Sequence, residues 1–177
     1  MSAVGPTVAG MDWNKQLTDQ LDWHWRMQLR PRLEGLTDDE YFWEPVSDVW
    51  TVRRDGSIDW ELPLPSPEPV TTIAWRMAHI IVGVFNMRTA SHFGGPPADY
   101  RTWQYALSAD EALKQLDDAY AAWMDGARQA DLSLAVGPAE GLFAEEPMAT
   151  LVLHINREVI HHGAEIALLR DLYLRES

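Results

Sequence analysis

The sequence predicts an all-α protein: a four-helix bundle with a long, elaborated crossover between the first and second helices. Three observations carry that prediction. Four segments place apolar residues at helical spacing. The stretches between them hold the Pro, Gly and capping residues that stop helices. A length of 177 residues, 46% hydrophobic and 23% charged, is enough for one well-filled core. No internal repeat or low-complexity tract divides the chain. Residues 1–177 therefore read as a single domain, with residues 1–10 as a flexible N-terminal tail.

The first helix is expected from about Met11 to Leu33, with Trp13, Leu17 and Leu21 on one stripe that His24 and Gln28 continue. Pro31 and Gly35 fray its end. Thr37-Asp38-Asp39-Glu40 has the form of a capping box and opens a short helix over Thr37 to Trp43, halted before Pro45. Trp50, Val52 and Arg54, then Ile58, Trp60 and Leu62, alternate about Asp55-Gly56 and predict a small hairpin. Pro63, Pro65, Pro67 and Pro69 predict an extended, polyproline-like run into the second helix. That helix, about Thr71 to Phe93, takes Thr71 or Thr72 as its N-cap, is apolar nearly all round, and stops at Gly94-Gly95-Pro96-Pro97. The third, Ser108 to about Ala130, opens with Ser108-x-x-Glu111 and puts Leu113, Leu116, Tyr120 and Trp123 on one face. The fourth, about Met148 to Leu174, follows Pro147 and is the longest apolar helix.

Charge and cysteine content narrow the function. Lys and Arg total 14 against 27 Asp and Glu, a net charge of −13, which argues against a nucleic-acid partner because phosphate backbones are held mainly by Lys and Arg. Cysteine is absent. Disulfides, Cys-ligated zinc and a thiol nucleophile are thereby excluded, and any sulfur chemistry must use another molecule's sulfur. No apolar run reaches the roughly 18 residues of a membrane span, and Met1 to Gly10 lacks the regions of a signal peptide, so a cytoplasmic protein without a membrane partner is expected. Apolar helix faces leave homodimerisation open.

The fourth helix carries the chemical signal. At about 100° per residue, Leu151, Ile155, Val159, Ile166 and Leu169 form a core-facing arc, while Asn156, Arg157 and Asp171 fall on the expected solvent side. His162 lies inside the core arc and Glu158 at its edge. A carboxylate and an imidazole four residues apart in apolar surroundings are costly unless compensated. A divalent metal would compensate them, since this spacing aims two ligands at one point. The third ligand must come from another helix, and His79, mid-way along the apolar second helix, is the best donor. Gly83 one turn on leaves space beside its imidazole, and Asn86 shares its stripe. Three such ligands leave open positions, the mark of a catalytic metal site. A hydrogen-bonded core histidine and a buried Glu–His pair explain the same residues without metal. Glu158-x-x-His161 also matches a di-iron ligand unit, but no other histidine has Glu three residues before it.

Three stretches together carry a family resemblance: Leu21-Asp22-Trp23-His24-Trp25 continuing to Leu36-Thr37-Asp38-Asp39-Glu40-Tyr41-Phe42-Trp43-Glu44-Pro45, then Ile73-Ala74-Trp75-Arg76-Met77-Ala78-His79-Ile80, then His154 to Ile166. In order and spacing the chain resembles the DinB-like superfamily of metal-binding four-helix bundles. The resemblance implies a divalent metal held by a histidine mid-way along the second helix, matching His79, and by a pair on the last helix, matching Glu158 and His162. Glu158 stands where many members have histidine. That His/Glu/His set is expected of members resembling mycothiol-dependent maleylpyruvate isomerase, although the additional C-terminal domain of that isomerase has no counterpart here. Short single-domain relatives resemble thiol S-transferases using mycothiol or similar thiols.

The expected function is therefore a metal-dependent transferase that activates a small-molecule thiol, mycothiol first, for attack on an electrophilic substrate. Zinc leads among the metals, with nickel, iron or manganese compatible with the same ligands. His24, His154, His161 and Glu165 are the candidates to orient ligands or move a proton, and Trp75 to wall the pocket. Arg26 and Arg30 fit a solvated face better than a substrate site. A non-catalytic metal-binding domain and a metal-dependent hydrolase are the alternatives.

Overall fold

The computed structural model describes residues 10–176. Apart from Gly10, the N-terminal tail expected over residues 1–10 lies outside the described residues. Helix α1 covers Trp13–His24 and runs on through a π-helical turn, Trp25–Leu29, into Arg30–Arg32. The short α2 is Asp38–Tyr41. Helix α3 comprises Ile73–His79, a π-helical stretch Ile80–Asn86, and Met87–Phe93. Helix α4 is Ala109–Gln129, and α5 is Met148–Glu176, preceded by a 3-10 helix at Pro138–Phe143. Among the described residues there is no β-strand, only isolated bridges. The all-α bundle with a long first crossover is what the sequence predicts.

Caps set the helix starts as expected. Asp12 accepts from the Lys15 N–H, Thr37 from Glu40, Thr72 from Trp75, and Ser108 from Glu111. Gly94, at φ 76°, closes α3 in the left-handed conformation that glycine adopts without a Cβ penalty. The long helices bury one shared core. Trp25 of α1 stacks on Tyr120 of α4 at 3.9 Å between ring centroids, with Phe85 of α3 edge-on to both. Leu116, Trp123, Ile155, Val159 and Ile166 complete that interior.

Two expectations about helix faces change. Trp13 begins the α1 stripe in sequence but is exposed, because the core-facing positions of that helix are Thr18, Leu21, His24, Trp25 and Leu29. Asn156, expected toward solvent, is buried, and its Nδ2 donates to the Leu17 carbonyl at 2.9 Å. The neighbouring α1 covers that side of α5, so a helix-wheel reading of one helix alone misplaces its second contact face.

The crossover is minimal in regular structure. Val52 and Ile58 form an antiparallel bridge around the Asp55-Gly56 turn, and a parallel bridge ties Trp50 to Thr71. The proline run is not uniformly extended, since the bonds Leu62–Pro63 and Ser66–Pro67 are cis. What fastens the crossover start is charge. Glu40, only 2% exposed, accepts from Arg170 of α5 at 2.6 and 3.0 Å, and Arg170 also donates to the carbonyls of Arg32 and Glu34. Glu40 occupies the capping-box position yet spends its carboxylate on α5, a use its sequence context does not announce.

Removing one partner of a buried, bidentate pair leaves the other charge uncompensated, at a cost of about 3–5 kcal/mol. Arg170→Met is therefore expected to lower the melting temperature by about 10 °C. The double variant Glu40→Leu/Arg170→Met should recover most of that loss. Thermal unfolding followed by circular dichroism measures both.

Candidate metal centre

The sequence places His79 on α3 and Glu158 and His162 on α5, and packing of α3 against α5 brings them together. One potential ligand atom from each lies within 4.8 Å of the other two. His162 is buried and the other two are half-buried. His162 Nε2 lies 3.5 Å from Glu158 Oε2, and the His79 and His162 rings meet edge-on at 4.6 Å. His162 and Glu158 share a face of α5 because they are four residues apart.

Each of the three side chains is held from behind. His79 Nδ1 lies 2.7 Å from the Tyr100 hydroxyl. His162 Nδ1 lies 2.7 Å from Glu165 Oε2, and that carboxylate also takes Arg76 Nε at 2.9 Å. Arg76 Nη1 is 3.5 Å from the same His162 nitrogen, but the shorter carboxylate bond sets the tautomer, with Nδ1–H donating to Glu165. Glu158 turns Oε1 toward His154 Nδ1 at 3.4 Å and the Arg157 guanidinium at 3.3 Å, leaving Oε2 on the His162 side. With both Nδ1 atoms engaged, Nε2 of each ring is the atom left to coordinate. That pattern of an outer partner on every ligand orients metal-binding imidazoles and raises their basicity. The residues present therefore fit a divalent cation.

Electrostatics point the same way. Burial, then the neighbouring His162 and Arg76, holds the His79 pKa down to about 3, so the ring is neutral and its lone pair available near neutral pH. Burial works to raise Glu165, but the bond from His162 and the charge of Arg76 more than reverse it and hold its carboxyl below the usual range. Burial pushes the Tyr100 hydroxyl well up, so it stays a protonated phenol.

The other expected contributors divide. Glu165 and His154 touch the cluster as described. His161 is exposed, 3.6 Å from Glu165 Oε1. His161, His162 and Glu165 form a second group of the right proximity, but it shares His162 and Glu165 with the contacts above, and the Glu165 charge is already matched by Arg76. His24 faces α5 at Gly163, one residue from His162, and bonds Gln28 through Nδ1 at 2.8 Å rather than any of the three ligands. Asn86 donates to the Ile81 carbonyl at 2.9 Å, within the π-helical stretch. Arg26 pairs with Asp22 and Arg30 with Asp117, away from the cluster.

The sequence pattern of the DinB superfamily matches residues 20–166. The chain belongs to the DinB superfamily. No curated protein and no solved structure matches it significantly. DinB-superfamily proteins are metal-binding, which agrees with a His/Glu cluster able to hold an ion in this member.

Three side chains around the His79, Glu158 and His162 cluster were not expected there from sequence. Tyr100 follows the Gly94–Pro97 stop in a loop, where no periodicity marks it. Trp60 comes from the crossover hairpin, stacking on Trp75 at 5.9 Å and on Tyr100 at 5.0 Å, while Trp75 stacks on His79 at 5.5 Å and donates its indole N–H to the Asp59 carbonyl. The expected wall residue Trp75 is thus one layer of an aromatic stack that covers one side of His79. Arg76, a base three residues before His79 in an otherwise apolar helix, was the one legible signal. The space beside Gly83 is filled by Tyr100: a Cβ there would stand 1.9 Å from the phenol oxygen.

Gly83→Ala must therefore dislodge Tyr100, and Gly83→Ala and Tyr100→Phe are expected to shift the same His79 ring-nitrogen resonance in 15N NMR spectra. An unmoved His79 signal in both would refute the Tyr100 contact. A second expectation concerns pH. The ordinary His pKa of 6.5 falls to about 3 in the fold, so between those values the unfolded chain binds a proton that the native ring refuses. Stability is complete above about pH 6.5 and is lost as pH falls toward 3. In chelator, the wild type should lose more stability than His79→Gln between pH 6.5 and 4.5, measured by urea unfolding.

Proposed function

We propose that this DinB-superfamily protein is a metal-dependent thiol S-transferase, with His79, Glu158 and His162 as ligands and mycothiol as the first thiol to test. The observation that carries the reading is the convergence of three ligand-type side chains, each held by a separate outer partner. A divalent cation bound there supplies Lewis acidity that lowers the pKa of a thiol and makes its thiolate available at neutral pH.

The chain's own residues prepare for that chemistry. Tyr100 and Glu165 engage Nδ1 of the two imidazoles, which leaves Nε2 of each to coordinate. Arg157 holds the far oxygen of Glu158 and also donates to His154 Nδ1. Two neutral rings and one carboxylate leave a dication with one positive charge, which favours an anionic sulfur over a neutral one. The Trp60–Trp75–Tyr100 stack keeps water from one side of His79. The absence of cysteine means the protein contributes no competing thiol. In the overall transfer the thiol sulfur forms a bond to the electrophilic carbon, the displaced group leaves with its bonding pair, and the thiol proton passes to solvent. Zinc suits the donor set, and nickel, iron and manganese are compatible with it.

The test combines metal and thiol. Elemental analysis after reconstitution is expected to find one divalent ion per chain, lost in His79→Ala and His162→Ala and bound roughly 10–100-fold more weakly in Tyr100→Phe. Mycothiol at about 100 times its dissociation constant should add roughly 2.7 kcal/mol and raise melting by several degrees, only in the metal-loaded protein. Cobalt-substituted protein should develop a sulfur charge-transfer band on adding thiol. A metal-loaded protein that shows neither effect with any cellular thiol is not a thiol transferase, and water activation then becomes the reading to test.

A further inference from the structure

We infer that a cavity beside the first half of α5 binds a small amphipathic anion, an apolar body ending in a carboxylate, and that it seats the second reactant of the centre described above. The cavity measures about 770 Å³ and lies between the start of α5, the end of α3 and the loop that carries the 3-10 helix. That volume is within the usual range for small-molecule sites.

Its walls combine apolar surface with charged side chains of both signs. Val136, Leu151, Leu153 and Phe143 supply the apolar part, and Leu153 and Phe143 remain 54% and 66% exposed, surface that an apolar ligand would cover. The basic groups facing it are Arg88, His154 and Arg157, and the acidic ones are Glu140 and Glu146. Glu140 is already engaged, by His92 Nε2 at 2.9 Å and Arg88 at 3.2 Å. Glu146 is exposed at the rim. Arg157 pairs with Glu158 but keeps a spare donor. Its side chain is 70% exposed, and its contacts use only Nε and Nη2, on Glu158 and His154, so Nη1 has no protein partner among the described residues. A planar guanidinium at the edge of an apolar wall suits a carboxylate.

The cavity also joins the candidate metal centre. The Arg157 side chain that faces it also pairs with Glu158 Oε1, so an anion on Arg157 lies beside the side chain of a candidate ligand. The assignment to a second reactant rests on the proposed function. The binding itself does not.

Octanoate is the probe, with octanol and octylammonium as controls, titrated by calorimetry in chelator and again with zinc. One octanoate per chain is expected, at least tenfold tighter than either control. Leu153→Glu, an exposed position, and Arg157→Gln should each weaken octanoate at least tenfold, with the melting temperature of Leu153→Glu unchanged. No octanoate binding, equal binding of octanol, or indifference to both substitutions overturns the inference. Because the titration in chelator needs no metal, failure of the cavity and failure of the metal reading give different results.

Discussion

Ionisable side chains placed between α3 and α5 set the terms for the rest of the molecule. An imidazole or carboxylate withdrawn from water costs several kcal/mol unless other groups replace its hydration. Here the replacement is supplied by neighbours from four parts of the chain: Arg76 on α3, Glu165 and Arg157 on α5, Tyr100 from the loop before α4, and, by stacking, Trp60 from the crossover. The long first crossover has a purpose in this light. A plain bundle with short connections has no means of laying an indole against Trp75 and Tyr100, whereas the hairpin around Asp55-Gly56 reaches across the start of α3 to do so. The π-helical stretch starting immediately after His79 belongs to the same arrangement. It contains Gly83, the one position where a phenol can approach the helix closely enough to bond the ring one turn before it.

The bundle was legible because periodicity and caps agree. Thr72, Ser108, Thr37 and Gly94 act where their residue types say they should, and the α5 core arc of Leu151, Ile155, Val159 and Ile166 is buried. The trio His79, Glu158 and His162 was legible for a different reason: polar residues on apolar faces demand partners, and the i,i+4 spacing of Glu158 and His162 points both at one place. Contacts made by loops left no such trace. Tyr100 lies 21 residues from His79, and nothing in its local sequence distinguishes it from a surface tyrosine. Asn156 shows the matching limit on helices, because one wheel reveals a core face but not a second neighbour. Glu40 reads as a cap and functions as the counter-charge of Arg170, since local grammar and tertiary use are independent.

The cavity and the candidate centre are linked through one short run of α5. His154, Arg157 and Glu158 lie within five residues of one another on α5; His154 and Arg157 face the cavity, and Arg157 also pairs with Glu158 of the candidate centre. Substitutions there change both surfaces at once, whereas Leu153 and Tyr100 each reach only one. On a protein of net charge −13, the free Nη1 of Arg157 is a local donor rather than part of a broad attractive field.

The Glu40–Arg170 pair has a consequence for the order in which the molecule is made. Its partners are separated by 130 residues, so the pair closes a loop of most of the chain. During synthesis the first helix and the crossover leave the ribosome long before Arg170 exists, and Glu40 waits in water as an ordinary surface carboxylate. Local helices can form in that interval, but the segment joining α1 to α2 has no fixed seat until α5 arrives. Long-range contacts of this kind slow folding, because loop closure must precede the reward. The nascent chain is thus a set of helices awaiting a clasp, and the arrival of the last helix fastens the crossover and brings Glu158 and His162 to His79.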